Sequence, residues 1–256
     1  MTLIALFLIP VLPSIPSPAP ALLTHLTLHL PSRPLTTAPS PFTLTHHLFA
    51  STSSLLPSLA STRQYTSLLT LSHTPQHTYV GTTSNNENVQ QLVISTSSAE
   101  GFLHLLHTKL QPLWSPRQTL LVTDGTALAV NVSIGTLYVR VGDLKLAQRQ
   151  GQNPGAGNAL RGVLLQITWP EVEGMAGEKA SAEHEGAVRG LVEAMLAGAG
   201  WSGKMDEVRG VAGYGEAEEL QESGDGEKGR ESQKRQGAGG RMATAALYME
   251  MLRSKA

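Results

Sequence analysis

Through the first 170 residues, apolar positions come in short runs that alternate with Thr, Ser and Gln; beyond that point they recur at three- and four-residue intervals. Alternation with a period of two marks a half-buried strand, and the longer period marks a helix with one apolar stripe. The pattern predicts strands at Leu3–Ile9, Phe42–Phe49, Tyr65–Ser72, Thr78–Thr82, Gln91–Ser95, Thr119–Thr123, Ala127–Val132, Leu137–Val141 and Gly162–Trp169. Short strands at such intervals suit an antiparallel sheet whose edges close into a barrel or sandwich. Leu3–Ile9 is continuously apolar and ends at Pro10, as expected of a strand covered on both faces. In the last strand, Val163, Leu165 and Ile167 alternate with Leu164, Gln166 and Thr168, which puts Trp169 on the Val163 face.

Asp124-Gly125 separates two of these runs and predicts a tight hairpin, because both residues accept the positive φ of such a turn. Four helices are predicted around the strands. One spans about 18–30 with a stripe of Leu22, Leu23, Leu26 and Leu30, which leaves His25 and His29 facing away from it. A second runs from Ser97 to about Leu110, with Ser97 and Glu100 at capping-box spacing and Phe102, Leu103, Leu106 and Leu110 as its stripe. At about 1.5 to 3 kcal/mol per buried large side chain, that stripe offsets the poor propensity of Gly101. Ala182–Leu196 and Met242–Arg253 have the same periodicity.

Between those last two helices the chain turns to Gly, Glu, Lys and Gln, too polar to offset its ordering entropy. The expected organisation is a domain over residues 1–201, a disordered insertion over 202–240, and a C-terminal helix over 241–256 packed on the domain. Of the 20 acidic residues, only Glu87, Glu100, Asp124 and Asp143 precede position 151, whereas eight of the nine histidines do.

That distribution limits the chemistry. A net charge of −1 without a basic cluster excludes a phosphate-backbone binder, so no sequence-specific nucleic-acid contact is expected. Zero cysteines exclude disulfides, thiolate zinc sites and cysteine nucleophiles. The N-terminal apolar run superficially resembles a secretion signal, but no Lys or Arg precedes Arg33, and Pro10, Pro13 and Pro16 keep it short of a bilayer span. A tunnel-type metal-dependent phosphohydrolase would need paired acids on facing strands; Glu171-Val172-Glu173 follows Pro170, and Glu216-Ala217-Glu218 lies in the polar segment. No Gly-x-Ser-x-Gly elbow presents a serine nucleophile. The histidine pairs His25/His29, His46/His47, His73/His77 and His104/His107 lack accompanying carboxylates and read as solvated side chains. Asn131-Val132-Ser133 matches a glycosylation acceptor, relevant only to a secreted barrel, and the glycine-rich stretch 151–157 lacks the lysine of a phosphate loop.

Segments in register carry a family resemblance: Gln111-Pro112-Leu113-Trp114-Ser115-Pro116-Arg117-Gln118-Thr119, followed by a Gly-containing hairpin at Asp124-Gly125-Thr126, then Arg140-Val141-Gly142-Asp143-Leu144, then Arg161 through Trp169. With Phe7-Leu8-Ile9-Pro10, Arg63 with Tyr65–His73, and Tyr248 through Arg253, they resemble subunit 20 of the transcriptional Mediator complex. The resemblance implies an α+β fold, an antiparallel β-barrel with flanking helices. It implies a nuclear, non-catalytic subunit without cofactor or metal, paired with subunit 18 in the Mediator head. Subunit 8 would tether that pair, which would help couple activators to RNA polymerase II and the TATA-binding protein; no membrane is involved.

Three residues stand as speculative interface positions. Trp114 and Arg117 are of the types that dominate binding hot spots, although Pro112 and Pro116 also suit a structural turn in which Trp114 plugs the barrel end. Arg140 opens the run Arg140-Val141-Gly142-Asp143 that ends a strand; the glycine suits a bulge where a backbone approaches closely, and a local pair of Arg140 with Asp143 is the plainer account.

Overall fold

The computed structural model describes residues 2–12, 15–29, 32–34, 41–52, 64–84, 87–132, 135–147, 158–170, 178–201, 205–212 and 230–253. Its strands are β1 (Thr2–Pro10), β2 (Ser32–Pro34), β3 (Phe42–Ser51), β4 (Gln64–Leu71), β5 (His77–Ser84), β6 (Glu87–Ser95), β7 (Trp114–Val132), β8 (Gly135–Leu146), β9 (Ala159–Pro170) and β10 (Asp206–Ala212). Four helices are found among the described residues: α1 (Ala19–His29), α2 (Thr96–Thr108), α3 (Glu178–Gly198) and α4 (Arg230–Arg253). The strands form one antiparallel sheet in the order β10-β1-β9-β8-β7-β3-β4-β5-β6, with β2 pairing β7 beyond the end of β3.

The sheet curls into a half-barrel and is apolar on both faces, so each face needs its own cover. On one face, α1 and α3 lie over Ala5, Phe7, Ile9, Val139, Val163, Leu165, Ile167 and Trp169. On the other, α4 lies over Ile4, Leu6, Leu8, Leu44, Leu69, Leu120 and Leu164, and touches strands from β10 to β6. Alternate residues of β1 therefore enter opposite cores, which explains its unbroken apolar run. The predicted α+β antiparallel architecture is present, with α4 rather than further strand pairing joining the two margins.

Asp124-Gly125 does not make a hairpin. β7 runs through it, carrying one extra residue between the pairs Leu121↔Lys145 and Thr126↔Val141, and again between Leu44↔Val122 and Phe42↔Gly125. The bulge reverses the alternation: Leu120 and Val122 face α4, whereas Leu128 and Val130 face α1 and α3. Among the described glycines only Gly200 has positive φ, so Gly125 answers a need for space. A Cβ there would sit 2.6 Å from the Phe42 carbonyl oxygen, and one on Gly142 would sit 2.4 Å from Val122 Cγ1.

Two further expectations are corrected. The second helix begins at Thr96 after an N-cap at Ser95 with no side-chain capping bond, so Ser97 lies inside the first turn and forms no capping box. The chain passes straight from β6 into this helix, and the Thr96 amide bonds to the Gln76 carbonyl at 3.1 Å. Of its stripe only Leu106 is buried. Second, the segment 202–240 is not wholly outside the fold: Asp206–Ala212 pairs with β1, and residues 230–240 belong to α4, while 213–229 lie outside the described residues. β10 escapes a pattern search because it is polar and short; the apolar β1 beside it supplies the pairing.

Candidate protein interface

The elbow between α2 and β7 is fixed from both sides. Leu113 and Trp114 donate backbone hydrogen bonds to the Leu110 carbonyl at 2.9 and 2.8 Å. Thr52, just beyond β3, donates its amide to the Leu113 carbonyl at 2.9 Å and its hydroxyl to the Pro112 carbonyl at 2.5 Å. Only Pro112 lies in the turn; Pro116, expected to close it, is already in β7 opposite Phe49, with Trp114 half-buried opposite Ser51 and Arg117 exposed. Leu113 remains 59% exposed, joined by Leu105 on α2 at 41% and Leu92 on β6 at 58%. Isolated surface leucines are ordinary, so it is Leu113, held on the fixed turn itself, that gives apolar area suited to a protein partner.

Arg140 stands elsewhere. It is 6% exposed on the α4 face of β8, in register with Gln166 and Ala127, so it is a core residue and no surface anchor. Nor does it pair with Asp143: three positions along a strand put the two side chains on opposite faces, and the Asp143 carboxylate accepts a hydrogen bond from Ser17. One guanidinium nitrogen of Arg140 is buried without a hydrogen-bond partner among the described residues. Beside it, Tyr248 of α4 donates to the Gln166 side-chain oxygen at 2.5 Å, and Gln166 donates to Thr168 at 3.0 Å. The bulge expected at Gly142 falls on the facing strand β7 instead.

The histidines are dispersed by the same strand geometry. His46 and His47 are neighbours on β3 and point to opposite faces. His46 is fully buried in line with Leu44 and Leu48, opposite Leu69 and Leu120, with neither ring nitrogen partnered among the described residues. Burial, reinforced by the nearby His47, lowers its pKa to about 3. His47 bonds to the Thr119 hydroxyl at 3.0 Å and is lowered by burial and then by the charge of His107, whose ring meets Phe49 edge-on at 5.2 Å. The expectation of solvated histidines fails for these two, for His25, which is half-buried and packs on Gly198 of α3, and for His73, whose ring nitrogens are buried beside Phe42. Sequence adjacency gives no hint of the His47–His107 approach, which depends on α2 folding back over β3.

Among the described residues, no three His, Asp or Glu side chains converge in a metal-binding arrangement. Glu171, Glu173, Glu216 and Glu218, the Ser133 of the glycosylation-like triplet, and 151–157 lie outside the described residues. Among the described residues, no helix is long and apolar enough to cross a membrane.

A family described as the TATA-binding related factor (TRF) of subunit 20 of Mediator complex matches residues 10–253. No curated protein matches the chain in a direct search. Among solved structures, the chain is similar to the Mediator head module of Schizosaccharomyces pombe, at 11% identity and a TM-score of 0.37, over 82% of this chain and 100% of that one. It is also similar to the PH1819 protein of Pyrococcus horikoshii OT3, at 8% identity and a TM-score of 0.35, over 80% of this chain and 93% of that one.

Proposed function

Because the chain belongs to the family of Mediator complex subunit 20, matched over residues 10–253, we propose that it is a non-catalytic scaffold of the Mediator head, working through protein contacts in the nucleus. Its role as a Mediator subunit follows from the family; the finer assignments are ours. Subunit 18 is the direct partner, subunit 8 is reached through that pair, and the assembly couples transcriptional regulators to RNA polymerase II and the TATA-binding protein.

The observation that carries this reading is the reach of the family match. It begins at the last residue of β1 and stops at the last described residue of α4, so it takes in every element of the fold but β1. The elbow bearing Leu113, Trp114 and Arg117 is the surface we assign to a partner, since aromatic and arginine side chains on a fixed backbone concentrate binding energy. Arg140 is withdrawn from that surface by its burial. Co-expression with subunit 18 followed by size-exclusion chromatography is the test: a single co-eluting species supports the assignment, and separate elution at micromolar concentration refutes it. Manganese binding or nucleotide hydrolysis by the purified chain would overturn the non-catalytic reading.

A further inference from the structure

α4 crosses the half-barrel as a chord. It comes close to β10 and β1 at one margin and to β3, β4, β5 and β6 at the other, while β8 and β9 stand further from it at the middle of the arc. Long side chains fill that gap, and there the interior turns polar. Tyr248 reaches from α4 to Gln166, Gln166 bonds on to Thr168, and Arg140 stands beside Gln166 in register on β8. The neighbouring positions are apolar, with Leu6 opposite Gln166 on β1 and Leu164 in the same core. Among the described residues, Arg140 is the one Lys, Arg, Asp or Glu that is buried. A guanidinium stays protonated at any physiological pH, so this core holds a full positive charge, and a charge taken out of water needs a counter-charge.

The described residues supply none. The positions facing Arg140 on β7 and β9 are Ala127 and Gln166, both neutral. Asp143 turns to the opposite face and accepts from Ser17, and Glu250 of α4 is exposed. Tyr248 and Gln166 are bonded to each other, and one guanidinium nitrogen of Arg140 is enclosed without a hydrogen-bond partner. We propose that Arg140 binds a single small inorganic anion, chloride in size and charge, in the interior between α4 and the paired strands β8 and β9. One monoanion cancels one guanidinium. Access sets the size: Arg140 is 6% exposed, and the half-buried Ala127 opposite it is small, which leaves a narrow approach that suits a bare ion rather than a phosphate ester or a partner's carboxylate. The anion ties the middle of the sheet to α4 through the row Arg140, Gln166 and Tyr248, so the seat of the helix depends on dissolved anions. This site is independent of the Mediator assignment.

Urea unfolding of the full chain at constant ionic strength tests this, with chloride replacing gluconate, an anion too large to enter. The midpoint should rise with chloride and then level off, because an ion that binds only the folded state stabilises it by mass action until the site is full. At about a hundred times its dissociation constant, the ion should move the midpoint by roughly 1 M urea. Bromide should act as chloride does, and crystals grown in bromide should give an anomalous peak beside the Arg140 guanidinium. Arg140→Met keeps the length of the side chain without its charge, and should lose both the chloride response and the peak. The responses of the parent chain decide the matter even if that variant fails to fold. A midpoint indifferent to chloride, or a response that survives in Arg140→Met, overturns the proposal. So does a bromide peak in the crystal with no chloride response in solution.

Discussion

The phenolic hydroxyl of Tyr248 donates to the side-chain oxygen of Gln166 at 2.5 Å, with both residues fully buried between α4 and the middle of the sheet. Gln166 is thereby committed, since its amide nitrogen already serves Thr168. Tyr248→Phe keeps the ring and strands a buried acceptor, so we expect a loss of about 1 to 3 kcal/mol, read from the urea midpoint. An unchanged midpoint would mean that Gln166 finds another donor, for which Arg140 is the neighbour in register.

The bulge in β7 predicts a contrast between two changes at one residue. Asp124→Ala should shift stability by less than about 1 kcal/mol, because its side chain is 85% exposed and its contact with Lys145 is 3.8 Å long. Deleting Asp124 removes the extra residue and turns one half of β7 over, driving Leu120 and Val122 or Leu128 and Val130 out of their cores. Circular dichroism and solubility should separate a folded substitution from an unfolded deletion.

Gly125→Ala and Gly210→Ala should differ for a related reason. At Gly125 the added Cβ meets a backbone carbonyl, which cannot yield without moving β3, so a cost of about 1 to 3 kcal/mol is expected. At Gly210 it meets only the outer atoms of the Leu247 side chain, which can turn aside. Thermal melts of the two variants should rank them in that order.

Acid should destabilise the fold through His46. Its pKa is lowered to about 3 in the folded state against an ordinary 6.5, so the unfolded chain binds the proton first as pH falls. The contribution is complete above the unfolded value and is lost between there and about pH 3, at a limiting slope near 1.4 kcal/mol per pH unit. His47, also lowered, acts in the same direction. His46→Leu should flatten the stability profile between about pH 6 and pH 4, and an unchanged profile would show that His46 is not the group that titrates.

Trp169→Ala should cost about 3 to 5 kcal/mol, as for a large aromatic removed from a core. The side chain is 4% exposed on the face that holds Val163, Leu165 and Ile167, as the alternation in that strand predicts. A denaturant midpoint equal to that of the parent chain would move Trp169 from the core to the surface.

Local pattern was a reliable guide wherever burial was regular. The covered strand at Leu3–Ile9, the apolar face of Gly162–Trp169 and the leucines of α1 all follow from periodicity, because each residue's environment repeats along its own element. Features set by distant segments were hidden. Asp124-Gly125 suits a hairpin and a bulge equally, and the choice rests on β3 and β8 passing on either side. Asp206–Ala212 is a strand because β1 offers it an edge, not because of its own composition. Arg140 looked like an anchor because arginine seldom enters a core; Gln166 and Tyr248, which share its surroundings, are remote in sequence. Trp114 and Arg117 suit a turn by composition, yet both lie within β7, which starts at Trp114 because β3 passes alongside, and the exposure of Leu113 just before it became visible only in the fold.

The position of β1 in the sheet carries a cost during synthesis. Phe7 pairs with Leu165 on one side and Glu207 on the other, so the strand made first is among the last to acquire its neighbours. Until β9 leaves the ribosome, Ile4 through Ile9 have no strand to pair with, and closing so large a loop makes folding slow. The nascent chain therefore carries its most apolar strand unpaired until β9 and β10 emerge, a strong demand for chaperone attention that the folded protein, with that segment at its centre, no longer betrays.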